Sequence, residues 1–445
     1  MSITLKTLIK FQSRFCRESS KVVSNFSTSS RDDARRDYKL VIVGGGTGGT
    51  AIANKFAKKL GKGKVAVVEP SETHYYQPMF TLVGGGIKTL SQTASPSDSL
   101  FPKGADWIKD RAAAFDATNN VVTTENGDEL HYDYLVIAMG IQMNFDQIKG
   151  LTDALDHDPM VCSNYNPAYV NKTFNAINKF KEGNAIFTFP NSPIKCAGAP
   201  QKIMYLADYH FRKMGKRDKA NILYNTSLPV IFGVKKYADA LLEVVKDKGI
   251  TTNFRTCLTE IKHDSKEAVF QNLDTGDNQT VKYEMLHAVP PMSCPDVLKK
   301  HPDLVDETGW VNVNKNTLQH QTYSNIFALG DCTNMPTSKT AAAVSAQSGI
   351  LQKNLNAVMD GKAATPLYDG YTSCPLITSK GKCIMAEFGF DGPLETFPIN
   401  QARESRLMYH LKKDFMPALY WMGLVKGHWN GPKVYRKLFH LGMGK

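Results

Sequence analysis

The sequence predicts an α/β protein of two similar domains, each a parallel sheet flanked by helices, and three observations carry that prediction. Tyr38–Leu60 runs from an apolar stretch, Leu40–Val43, through a glycine-rich turn into a segment able to continue as a helix from Ala51 to Leu60. Much later, Ala185–Phe189 repeats the strand character and precedes a second helical segment, Gln201–Phe211. A chain of 445 residues, 42% of them apolar and without a low-complexity tract, exceeds what one core usually holds.

In the first unit Gly44, Gly46 and Gly49 supply G-x-G-x-x-G directly after the strand. Glycines there permit a tight turn and close approach of backbone to a pyrophosphate, whose charge the following helix N-terminus favours. A second strand, Val65–Val68, ends at Glu69, twenty residues after Gly49, where a carboxylate can accept bonds from ribose hydroxyls. An acid at that place suits an unphosphorylated ribose, so FAD or NAD fits better than NADP. Two further segments run from strand into glycine: Tyr134–Gly140, and Asn325–Asp331 with Cys332 behind it and an alanine-rich helix over Thr340–Gly349. Both resemble the strand-end signatures of flavin reductases with two dinucleotide domains. That resemblance implies FAD, with Asp331 facing its ribityl–pyrophosphate part and the helix N-terminus directed at the ring, where the dipole favours negative charge on a reduced flavin. Lys339 is close enough in sequence to add to that effect; solvent exposure is the alternative for it.

The second unit lacks the fingerprint. After Phe189 comes Pro190-Asn-Ser-Pro-Ile-Lys-Cys-Ala-Gly-Ala-Pro200, then the helix. The strand Ala220–Tyr224 and the stretch Val230–Gly233 restore the α/β rhythm without another phosphate loop. The expectation is a domain that kept its architecture and lost its nicotinamide nucleotide, so that electrons enter from another donor. Of the eight cysteines none forms C-x-x-C and none stands at metal-ligand spacing to a histidine, so no metal is expected. Cys196 lies just ahead of the helix, where its N-terminus and Lys195 both favour thiolate. Cys374 is flanked by turn residues far downstream. Spacing cannot pair them, and a buried, inert thiol is the alternative for each.

The ends differ from the middle. Residues 1–37 carry eight basic and four acidic side chains, against a whole-chain charge of +12, with Leu5, Leu8, Ile9, Phe11 and Phe15 forming an apolar stripe among serines and threonines. That composition reads as a mitochondrial transit peptide, with a disordered basic tail as the alternative. The basic excess comes with no zinc-finger spacing, helix-turn-helix signature or basic-aromatic run, which argues against nucleic acid. No run of 18 uninterrupted apolar residues exists, so a spanning helix is not expected. In the last fifty residues Phe415, Met416, Leu419, Tyr420, Trp421 and Leu424 are read as one broad apolar surface among lysines, fit for anionic headgroups. Pro417 predicts two short amphipathic pieces rather than one helix. A helix packed on the core, or a homodimer contact, is the alternative.

From about Tyr38 onward the chain closely resembles the mitochondrial, animal-type sulfide:quinone oxidoreductases. The stretches that carry the likeness are Glu69–Pro78, Phe189–Lys202, Gly330–Asn334 and Tyr368–Leu376. It implies two Rossmann-like FAD/NAD(P)-binding-type domains of flavin disulfide reductase kind. They are drawn at 38–155 with 299–360 and at 156–298, followed by a C-terminal membrane-facing region, 361–445. It implies that Cys196 and Cys374 are a redox pair beside FAD, with Gln77 among the cofactor-binding residues. Two electrons would pass from hydrogen sulfide to ubiquinone, and a persulfide sulfur to a small acceptor: glutathione, sulfite, cyanide or coenzyme A. Hydrosulfide would attack an oxidised Cys196–Cys374 bridge at Cys374, leaving the persulfide there and Cys196 as thiolate. The absence of cysteine between Cys16 and Cys162 fits FAD held non-covalently. The expected location is the matrix face of the mitochondrial inner membrane. The rival, a flavin NADH:quinone reductase, requires a nucleotide fingerprint after Phe189.

Overall fold

The computed structural model describes residues 35–365 and 367–442. The transit peptide read over 1–37 therefore lies outside the described residues except at its end, and that end differs from the expectation: Arg36 and Asp37 already belong to the first strand.

Apolar, β-branched runs form the buried strands, as a sheet covered on both faces requires. The first sheet contains β1 (Arg36–Val43), β2 (Val65–Val68), β3 (Ala105–Ile108), β4 (Ala112–Asp116), β5 (Val121–Thr124) and β6 (Glu129–Ile137), in the order β3-β2-β1-β6-β5-β4. Its centre is parallel, and β4 and β5 add an antiparallel edge. Helix α1 (Thr47–Leu60) crosses from β1 to β2. The second sheet holds β7 (Val161–Cys162), β8 (Gly183–Phe189), β9 (Ala220–Thr226), β10 (Thr251–Asn253) and β11 (Met285–His287). It is parallel throughout, in the order β7-β11-β8-β9-β10. Helix α2 (Ala199–Lys213) joins β8 to β9. The chain then returns to the first sheet through β12 (Ile326–Ala328), parallel to β6, and continues into α3 (Ala341–Met359), capped by the Thr340 hydroxyl.

Three details depart from the sequence reading. The boundary drawn at residue 155 falls inside the helix Leu151–His157, whose buried side chains pack with Val161, Ile186 and Leu258 of the second unit. Val230–Gly233, read as a stretch restoring the α/β rhythm, is a bend. The third concerns the C-terminal region. It opens with an antiparallel pair, β13 (Thr372–Ser379) and β14 (Lys382–Gly389), and β13 is buried over all but its last residue. Pro417 does not divide the helical segment that contains it. Residues 406–424 stay helical because two wide π-turns, Leu411–Phe415 and Tyr420–Leu424, bracket the proline and absorb its missing N–H. The expected single apolar surface divides in two. Tyr420 and Leu424 are buried, whereas Leu407, Phe415 and Met422 are exposed, as are Val434 and Leu438 on the separate helix Lys433–Phe439. Among the described residues no helix is long and apolar enough to cross a membrane.

Candidate functional site

The carboxyl ends of both sheets and the start of α3 enclose a cavity of about 450 Å³. Every residue singled out for cofactor binding except Gly49 lines it: Gly44, Gly46, Glu69, Gln77, Gly140, Asp331 and Lys339. Cys196 lines it as well, and Cys374 lies behind it.

The glycine loop has a crowded side and an open one. Gly44 adopts φ +100°, and a Cβ on Gly49 would stand 1.7 Å from the Gly44 carbonyl oxygen, so strand and helix close on each other only without side chains. A Cβ on Gly46 would meet nothing within 4 Å, which leaves the cavity side free for a phosphate chain. Glu69 closes the β2 end: its carboxylate accepts from the Gly45 N–H at 2.7 Å and the Ser71 N–H at 2.8 Å. Gly45, absent from the sequence reading, is crowded like Gly44 and unlike Gly46, since a Cβ there would lie 2.7 Å from that of Glu69. Glycine loop, terminal acid and the N-termini of α1 and α3 fit a dinucleotide, so the residues present suit FAD.

Lys339 is not a solvent-facing side chain. Its ammonium donates to the carbonyls of Asp331 (2.7 Å) and Thr333 (3.0 Å) and lies 3.7 Å from the centre of the Trp310 ring. Burial holds the neighbouring Asp331 carboxyl above its ordinary range. Gln77 accepts a hydrogen bond from Lys195 at 2.7 Å, and burial lowers that lysine to about 8.

The two cysteines that spacing could not pair come together. Cys196 Sγ and Cys374 Sγ are 3.8 Å apart across 178 positions of sequence. Cys196 sits in a left-handed turn (φ +54°), an unusual conformation for a side chain of its kind, held by its N–H on the Lys339 carbonyl (2.8 Å) and by its own carbonyl accepting from Ala199 (2.8 Å). Lys202, one turn into α2, donates its buried ammonium to Cys196 Sγ at 3.2 Å. The Cys374 hydrogen bond, then Lys202 working against burial, hold Cys196 well below the ordinary thiol range. The same bond, followed by burial, holds Cys374 well above it. The pair is therefore unequal, with Cys196 the thiolate. Burial opposes the charge on Lys202, but Cys196 and Cys374 outweigh it and keep the ammonium charged.

Sequence reasoning overlooked several groups here. Lys202 stands on the inner face of α2 and reads as one more helical lysine. Lys412, buried inside the first π-turn, donates to the Pro78 carbonyl at 3.0 Å and shares its field with Lys202 and Cys196. Tyr420, read as a surface residue, anchors that segment to the glycine loop: its hydroxyl bonds Thr47 at 2.9 Å and His74 at 2.5 Å, and its ring lies 4.2 Å from that of Tyr76. The available signals were the Phe189–Lys202 stretch, which ends on Lys202, and the Glu69–Pro78 stretch, which contains His74 and Tyr76.

Residues 38–176 match a family model described as pyridine nucleotide-disulphide oxidoreductase. The mitochondrial sulfide:quinone oxidoreductase of Mus musculus is 52% identical over 92% of this chain and 91% of its own length. Its counterpart in Dictyostelium discoideum is 47% identical over 88% and 87%. Among solved structures, the sulfide:quinone oxidoreductase of the hyperthermophilic bacterium Aquifex aeolicus superposes with a TM-score of 0.73. That likeness covers 92% of this chain and 95% of that one, and at 20% identity it speaks for the fold.

Proposed function

The chain belongs to the mitochondrial sulfide:quinone oxidoreductases, and from that premise we propose that Cys196 and Cys374 are the pair through which it works. It is a flavin-dependent oxidoreductase that oxidises sulfide and reduces quinone. The observation that carries the assignment of the pair is its asymmetry: a sulfur bonded by Lys202 at 3.2 Å stands 3.8 Å from one that its bond to Cys196, then burial, holds above the ordinary thiol range.

That asymmetry sets the direction of exchange. In the oxidised pair hydrosulfide attacks the Cys374 sulfur; a new S–S bond forms there, the bridge breaks, and Cys196 departs as the thiolate that Lys202 stabilises. A small thiol or sulfite then takes the terminal sulfur and leaves Cys374 as a second thiolate. Closing the bridge again releases two electrons, and FAD, when bound, supplies their acceptor on the way to quinone. The glycine loop, Glu69, Gly140 and Asp331 would hold that cofactor, and Lys339 orders the loop between its carboxylate and Cys196. Quinone is lipid-soluble, which suits a peripheral enzyme on the matrix side of the inner membrane. The exposed apolar side chains of residues 407–441 would meet the bilayer.

An anaerobic titration tests this. Sulfide is expected to bleach the visible flavin band, a ubiquinone analogue to restore it, and NADH to leave it unchanged. Bleaching by NADH with sulfide inert would overturn the reading in favour of an NADH:quinone reductase.

A further inference from the structure

Asn164 and Tyr165 occupy the turn that leaves β7, at the carboxyl end of the second sheet. The loop bearing Cys196 leaves β8 at the same sheet end, with only β11 between them. Both residues are buried, at 5% and 3% exposure, and both line the cavity along with Cys196, Ala199 and Lys202. Neither amide atom of Asn164, Nδ2 or Oδ1, has a hydrogen-bond partner among the described residues, and neither has the Tyr165 hydroxyl.

An amide buried without partners costs about 1–3 kcal/mol for each stranded group, so a fold does not place three such atoms together without return. Here the placement is enforced. The Asn164 N–H donates to Nε2 of His287, the last residue of β11, at 3.1 Å, and burial keeps that imidazole neutral, lowered to about 3. On the other flank Gly84 leaves room for the side chain: a Cβ there would lie 2.2 Å from Asn164 Oδ1. Burial and then the neighbouring Cys196 keep the Tyr165 hydroxyl protonated, hence a donor.

Resting on the sulfide-oxidising reading above, we propose that Asn164 and Tyr165 form the subsite that binds hydrosulfide before it reaches the cysteine pair. Hydrosulfide is an anion with one weak S–H donor. The side-chain Nδ2–H of Asn164 and the Tyr165 O–H can donate to its sulfur, while Asn164 Oδ1 accepts a hydrogen bond from its S–H. Lys202 supplies the matching charge from the Cys196 side of the cavity. Neutral donors suit the place, because a further fixed cation beside Lys202 and Lys412 would hold the thiolate and the incoming anion equally and so favour neither.

The test uses full-length, FAD-loaded enzyme and anaerobic stopped-flow bleaching as a function of sulfide concentration. Asn164→Ala should raise the half-saturating sulfide concentration about 10- to 100-fold, the scale of losing hydrogen bonds to a charged group. Tyr165→Phe, which removes one oxygen and keeps the ring, should raise it about 3- to 10-fold. Flavin content, the position of the flavin band and the half-saturating quinone concentration should stay as in the native enzyme. Native half-saturation in both variants would overturn the subsite. A variant that loses flavin or shifts its band would overturn it too, because the amide would then be serving the cofactor. A native enzyme that sulfide never bleaches removes the sulfide-oxidising reading, and this inference with it; one that bleaches while both variants match it removes the inference alone.

Discussion

The turn after β1 and the turn after β8 hold equivalent positions in their sheets, each leading from a buried parallel strand into a helix N-terminus, and they are filled in opposite ways. The first presents Gly44, Gly45, Gly46 and Gly48 to the cavity, with Thr47 the one side chain among them and its hydroxyl bonded to Tyr420. The second puts side chains in that place. Cys196 takes the left-handed turn, Lys202 comes next on α2, and strand β13 lies against the helix start so closely that a Cβ on Gly198 would come within 2.5 Å of Cys374 Sγ. One scaffold leaves an open turn where side chains are absent, fit for a phosphate chain, and brings two thiols together where a strand from the C-terminal region closes it. In the second unit, which lacks the fingerprint, Cys374 and Leu376 pack directly against the helix start at Gly198.

Five substitutions sharpen or break this contrast. Replacing either cysteine, Cys196→Ser or Cys374→Ser, should slow sulfide-driven bleaching by about 1,000-fold or more, the scale on which removing a nucleophile acts. Flavin content should remain native; a variant that lost flavin would show the two turns to be one site. Gly49→Ala attacks the other turn. With its Cβ 1.7 Å from a carbonyl oxygen, the loop must move, and strain of about 1–3 kcal/mol corresponds to flavin affinity lower by roughly 5- to 150-fold, read by equilibrium dialysis.

Lys202→Met tests the source of the asymmetry. Because the depressed Cys196 thiol is reactive above its pKa, removing the ammonium should move the acid limb of the bleaching rate upward by about 1–2 pH units. An unmoved limb would assign the thiolate to another cause. Lys412→Met should have the smallest effect and the opposite sign in stability. Burial lowers Lys412 from 10.5 to about 8, so between those values the unfolded chain holds the extra proton and stability rises with pH. Below about pH 8 the buried charge is a full cost, and its removal should stabilise the fold by about 2 kcal/mol in denaturant titrations at pH 7, at some expense in sulfide-driven rate.

The elements, and the residues that line one end of the cavity, were legible in the sequence. Leu40–Val43, the glycines after it, Val65–Val68 and Glu69 form one local unit of strand, turn, helix and strand, whose physics is written in residues close together in the chain. The same holds for the strand and helix around Cys196. That Cys196 and Cys374 meet was not legible, because 178 residues separate them and only the docking of β13 on α2 closes the distance. Nor could the sequence say which lysines are buried. Lys202 and Lys412 look like ordinary surface charge until the fold turns them inward, whereas Tyr420, which looked like surface, is drawn in by Thr47 and His74. Local pattern fixes backbone conformation because the dihedral and hydrogen-bond demands of a strand or a phosphate turn are met within a few residues. Burial, charge pairing and thiol reactivity depend on what lies across the cavity, and that neighbour arrives only when distant segments pack together.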